Sequence, residues 1–156
     1  VTEGRTHSRT GRKPVQLFAT LVGVVFLAVG VLGFIPGITS EYNEMGFAGP
    51  DSMALLFGLF GVSVLHNLVH LLFGVLGLVA ATTLALSRAF LMIGGGFYVL
   101  LCVYGLPIDR ATDANFLPVN PADNWLHLGL GLGMIALGLL GTALERRSPG
   151  RDSAGY

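Results

Sequence analysis

The chain has 156 residues, 53% of them apolar and only 12% charged, and its nine Lys and Arg balance nine Asp and Glu. So little polar material cannot cover a soluble globule of this size, and the composition is that of a membrane protein. Four apolar stretches reach the roughly 20 helical residues that cross a hydrocarbon core of about 30 Å. None alternates with the period of two that a barrel strand needs, so each is predicted to be a helix.

In chain order, residues 1–13 form a basic tail with Arg5, Arg9, Arg12 and Lys13, and the first span is predicted over 14–35. A basic lead before an apolar run is also the outline of a signal peptide. The run is long for an h-region, and "FIPGITS" offers no small-x-small cleavage site, so the helix is read as retained. The segment "DSMALLFGLFG" at 51–61 is apolar too. One helix from Ser52 to Leu84 would be about 50 Å long, well beyond a bilayer. The segment is therefore expected in the interface or folded back on the bundle, outside a second span over 64–84. The third span, 89–106, carries the single Cys102, a packing residue with no partner for an internal disulfide. The fourth covers 121–144, and 145–156 is a second basic tail. The transmembrane domain is thus 14–144.

Charge sets the orientation. Arg5, Arg9, Arg12, Lys13, Arg88, Arg146, Arg147 and Arg151 place eight of the nine bases on one side, with Arg88 between the second and third spans. The other side carries Glu41, Glu44, Asp51, Asp109, Asp113 and Asp123, with Arg110 its one base. The positive-inside rule then predicts cytoplasmic termini and external long loops, in a bacterial inner membrane. The basic ends reflect insertion topology, and no nucleic-acid partner is expected.

Two stretches, "HNLVHLLFG" at 66–74 and "DNWLHLGLG" at 123–131, place Asn and His one helical turn apart in oily surroundings. Ser63, His66, Asn67, His70 and Gly74 align with Asn120, Asp123, Asn124, His127 and Gly131. The preceding spans echo one another more weakly, with Phe18, Gly23 and Gly33 matching Phe90, Gly95 and Gly105. The predicted architecture is all-α: four transmembrane helices arranged as two parallel-repeat helical hairpins about a pseudo-twofold axis along the membrane normal. "NPAD" puts Asn120 at an N-cap, Pro121 at the first helical position and Asp123 at the third, and Ser63 is the matching cap. From these caps the Asn lies about 6 Å and the His about 10 Å below the helix end. Gly129 and Gly133 form a GxxxG, read in a chain with 23 glycines as packing within the bundle.

The segments "LFGLFGVSVLHNLVHLLFGVLGL" and "VNPADNWLHLGLGLGMIALGLL" resemble a bacterial membrane family catalogued as domain-of-unknown-function family 4383. The likeness runs from about Gln16 to Leu144. It implies four transmembrane helices and no established biochemical activity.

Residues at i and i+3 or i+4 share a helix face, and polar side chains at this depth are expected to face the protein interior. The leading reading is a polar cluster of Asn67, His70, Asn124 and His127 beneath the external face. Each Asn would pair with a His or a carbonyl across the axis, and no cofactor is required. The runner-up is a divalent metal held by His66, His70, Asp123 and His127, with the Asn residues orienting the rings. A haem between His70 and His127, or a proton relay through them, would use the same pair. No Ser-His-Asp order, Cys-His pair, P-loop or dinucleotide fingerprint is present, and Glu41 and Glu44 suit a solvated loop, so no enzyme is expected. The function read from the sequence is a small structural or accessory membrane subunit. Its partners would be the bilayer and a larger membrane complex or a second copy, contacted through "SEYNEMGFAGP" and "IDRATDANFLPVNP".

Overall fold

The computed structural model describes residues 11–147. Its helices are α1 (Pro14–Leu32), α2 (Val64–Ala80), α3 (Leu84–Gly105) and α4 (Pro121–Arg146). At about 1.5 Å per residue, α1, α3 and α4 are long enough to cross a hydrocarbon core, and all three are sufficiently apolar. Helix α2, with 17 residues, is shorter. The side chains are inverted relative to a soluble bundle. Leu21, Leu72, Ile93, Leu100 and Leu132 lie more than half exposed, while Asn67, His70, Ser87, Asp123 and His127 are buried.

Local chemistry explains where the helices start. Pro14 opens α1, and Gln16 folds its amide oxygen back to accept from the Lys13 backbone N–H at 3.1 Å. The other end of that amide donates to Ala81 O at 3.0 Å, tying the start of α1 to the turn between α2 and α3. That turn is residues 81–83, four or five residues earlier than expected. Thr83 caps α3 by accepting from Leu86 N, and Ser87 donates to Ala80 O and Thr83 O. Hydroxyls that satisfy free carbonyls allow so tight a connection. Arg88 consequently lies inside α3 rather than in a loop, and its guanidinium pairs with Glu145 of α4. Arg5, Arg9 and Arg151 lie outside the described residues.

The helices pack mainly as α1 with α2 and α3 with α4, and glycine decides how closely. A Cβ on Gly23 would come within 3.0 Å of Gly74 O, and one on Gly74 within 2.7 Å of Leu27 N. In the second pair a Cβ on Gly95 would come within 2.7 Å of Gly131 O, and one on Gly131 within 2.8 Å of Val99 N. Lipid gives helices no hydrophobic reason to associate, so contact between bare backbones is the attraction available. Val15, Ala19, Phe26, Leu91, Tyr98 and Met134 fill the core between the pairs. Gly129 and Gly133 do not share in this packing, since nothing lies within 4 Å of where their Cβ atoms would be.

A small antiparallel sheet adds to the expected all-α fold. It contains β1 (Thr39–Ser40), β2 (Leu55–Leu56) and β3 (Phe60–Gly61), in that order. Residues 51–61 therefore form a hairpin rather than an extension of α2. At its tip Phe57 and Gly58 both take positive φ, at 55° and 69°. Ala54, Leu56 and Val62 pack under it against Val29, Leu32, Ile38, Met45 and Phe60. This apolar layer sits on the head of the short α2 and supplies partners for its first N–H groups: Val64 N donates to Gly46 O, Leu65 N to Phe47 O and His66 N to Ser63 Oγ. Buried Thr39 closes the end of α1 by donating to Leu32 O and Gly33 O.

Glycine contact makes a direct prediction. Gly95→Ala should lower stability in detergent thermal unfolding by about 1–3 kcal/mol, because its methyl meets backbone that cannot rotate away. Neighbouring Gly96 has open space, so Gly96→Ala should be neutral or stabilise by up to about 1 kcal/mol through helix propensity.

Candidate functional site: a buried histidine layer beneath the loop end

Each polar side chain of the two motifs is placed by its helix cap. Ser63 Oγ accepts from His66 N at 3.1 Å at the head of α2. At the head of α4, Asn120 Oδ1 accepts from Ala122 N and Asp123 N, and Asp123 Oδ2 accepts from Asn120 N at 2.9 Å. This reciprocal box is also a junction between loops. Asp123 Oδ2 accepts from Gly61 N of β3 at 2.9 Å, and Asn120 Nδ2 donates to Leu59 O at 2.8 Å. The hairpin over α2 is thereby fastened to the start of α4.

Below the caps, three imidazoles meet. His66 and His70 stack one turn apart, centroids 4.6 Å apart and planes within 11°. His127 approaches His66 from α4, with centroids 6.2 Å apart. Phe26 lies against His70 at 5.7 Å, Tyr98 against His127 at 5.4 Å, and the two aromatic rings stack on each other at 5.2 Å. All three His are at most 6% exposed. His70 Nδ1 lies 3.1 Å from His66 O. A carbonyl only accepts, so that nitrogen carries the proton and His70 Nε2 is left as the basic one. Nδ1 of His66 and Nδ1 of His127 are buried without a partner among the described residues.

The two Asn residues do something other than expected. Among the described residues they do not bond to a His or to each other; each lies against a glycine at the end of the preceding helix. The Asn67 amide occupies the space a Cβ on Gly33 would fill, with Oδ1 nearest, and Asn124 does the same at Gly105. Neither Oδ1 has a conventional donor among the described residues. Each therefore rests on a glycine Cα, where Cα–H···O contact supplies a weak substitute for a hydrogen bond. Asn67 Nδ2 points toward Met45 Sδ at 3.9 Å. Only glycine permits this approach, so Gly33 and Gly105 belong to the site as much as the Asn residues do. The sequence offered a signal for them, because they correspond in the two halves. Phe26 and Tyr98 also correspond, and their role beside the His rings was missed.

The four proposed metal ligands are only partly assembled. Asp123 is committed to two backbone N–H groups, and stacked His66 and His70 rings do not aim their in-plane nitrogens at one point. Among the described residues no group of three or more His, Cys, Asp or Glu is arranged to hold a metal ion. The arrangement is suited to fixing helix register and excluding solvent from the bundle head.

Comparison with curated proteins finds no match, and comparison with solved structures finds none either. A family model does match residues 16–140, covering both helix pairs and both Asn-x-x-His motifs. The chain therefore belongs to the family described as Domain of unknown function (DUF4383).

Proposed function

We propose that the chain is a small, internally duplicated integral membrane protein of a bacterial inner membrane, with a structural or accessory role rather than an enzymatic one. The observation that carries the reading is the paired lock of Asn67 on Gly33 and Asn124 on Gly105. Each lock fixes the register of one helix pair where it meets the loop layer. Two apolar grooves add support for duplication. The groove between α2 and α3 is lined by Phe73, Ile93 and Phe97, and that between α4 and α1 by the corresponding Leu130, Leu21 and Val25. The loop end carries the contacts to a partner complex in this reading. Phe47, Phe57, Phe116 and Trp125 are all exposed there, and aromatic groups are favoured at such interfaces.

The charge distribution supports cytoplasmic termini. Arg12, Lys13, Arg88, Arg146 and Arg147 share one end of the bundle, and the acidic loops share the other. In a Cys102→Ser background, cysteine placed at Asp51 or Asp113 should react with an impermeant maleimide in intact cells. Cysteine at Arg12 should react only after permeabilisation. Labelling of Arg12→Cys from outside would reverse the topology.

A double-mutant cycle tests the lock. Gly33→Ala and Asn67→Ala should each destabilise the protein. The double variant should be more stable than their sum by about 1 kcal/mol or more, because removing the amide makes room for the methyl. Gly105 and Asn124 should behave alike. Strict additivity in both pairs would remove the basis of the reading.

The competing reading is a metal at the imidazoles, and it draws on the two buried Nδ1 atoms that have no partner among the described residues. Elemental analysis of untagged protein beside a His70→Ala/His127→Ala variant separates the two. A structural layer gives no stoichiometric metal, even after incubation with zinc, copper or iron. One equivalent lost in the variant would make metal binding the function.

A further inference from the structure

A groove of about 480 Å³ opens between α3 and α4 at the basic end of the bundle. Its mouth carries Arg88, Arg146 and Arg147, and its wall continues along Met92, Gly138 and Leu139. From Arg146 to Leu139 is about 10 Å along the helix, so the groove leads from guanidinium groups to hydrocarbon depth. Gly138 keeps the floor low, since a Cβ there would come within 3.0 Å of Met92 Sδ. Thr142 adds no free donor, because its hydroxyl donates to Gly138 O at 2.9 Å.

The charge at the mouth is one-sided. Glu145 is the acid beside it, and it is already paired with Arg88. Arg88 is taken up by that pairing, its Nη2 on Glu145 and its Nε buried, so the charge left at the mouth is that of Arg146 and Arg147. Arg146 and Arg147 are exposed and make no ion pair among the described residues. The negative end of α4 opposes an anion here, but it amounts to about half an elementary charge against two uncompensated guanidinium groups. Arginine also presents paired N–H donors that match phosphate oxygens.

We propose that this groove binds an anionic phospholipid, its phosphate held by Arg146 and Arg147, and an acyl chain lying on Met92, Gly138 and Leu139. A soluble phosphate would use only the mouth. The apolar continuation and the position at the end of two spanning helices select a lipid, as in other basic clefts between transmembrane helices. The inference rests on the proposed bilayer-spanning placement, and the experiment separates the two.

The full chain, purified in nonionic detergent, is titrated with phosphatidylglycerol or phosphatidylcholine and followed by native mass spectrometry and thermal unfolding. Phosphatidylglycerol should be retained at roughly tenfold lower concentration than phosphatidylcholine. Arg146→Gln/Arg147→Gln should abolish that preference, whereas Arg12→Gln/Lys13→Gln, an equal loss of charge, should keep it. Leu139→Trp, which fills the groove without altering charge, should weaken retention as well and guards against misfolding of the arginine variant. Equal retention of the two lipids, or equal loss in both charge variants, would overturn the site in favour of diffuse attraction. Stabilisation by inorganic phosphate as large as by phosphatidylglycerol would overturn the lipid in favour of a soluble anion. Flotation with neutral phosphatidylcholine vesicles reports on the membrane reading separately: protein that floats but shows no lipid preference refutes the groove alone, and protein that does not float refutes both.

Discussion

Close approach of backbone to backbone is the condition on which this bundle depends. Hydrocarbon outside the protein is as apolar as leucine inside it, so burying leucine gains little and helices must find attraction in contact itself. Gly23 with Gly74, and Gly95 with Gly131, bring the two members of each pair together until a single methyl would not fit. The Asn locks follow from that geometry. Once α1 and α2 are this close, Gly33 passes near enough to Asn67 for the amide to lie on its Cα, and Gly105 does the same for Asn124.

The same medium governs the loops. A helix head shielded from water cannot leave its first N–H groups to solvent, and the head of α2 lies against the loop layer. The sheet and the segment before it meet this need with Gly46 O, Phe47 O and Ser63 Oγ. Their apolar underside against Val29 and Leu32 makes the loop a continuation of the core. Asp123 then fastens this layer to α4 while capping its own helix. One carboxylate oxygen thereby joins the two helix pairs at the loop end.

What could be read in the sequence divides along the range of the interactions involved. The four helices were legible because hydrophobic length is a property of consecutive residues. The start of α4 was legible because Asn120, Pro121 and Asp123 act within one turn. The sheet was not, since strands of two residues have no period, and their pairing of Thr39 with Leu56 depends on a fold-back across the intervening chain. The turn at 81–83 was misplaced because Arg88 looked like a loop residue. In fact a base near the membrane surface can stay in a helix when a carboxylate such as Glu145 faces it from the next one. The Asn contacts were missed for a different reason. An amide in apolar surroundings points to a hydrogen-bonding partner, and the true neighbour, Gly33 or Gly105, has no side chain at all.

The two Asn-x-x-His motifs are as informative where they differ as where they agree. Asn, His and both layers of glycine contact correspond, as expected of parts that make each helix pair. His66 and Asp123 occupy corresponding positions and differ completely in use. Asp123 takes up backbone donors from the loop, while His66 turns inward, stacks on His70 and reaches His127. With an Asp at both positions, the carboxylate at 66 would be buried where the His66 ring now stacks on His70, a costly place for a charge. With a His at both, Gly61 N would lose its acceptor and the hairpin its tie to α4. One of each allows a fastened cap on one side and a closed aromatic and imidazole layer on the other. The first connection is also much the longer and alone carries the sheet. The difference at this one motif position thus accounts for how the loop end is sealed: a carboxylate fastens the hairpin to α4, and an imidazole closes the layer beneath it.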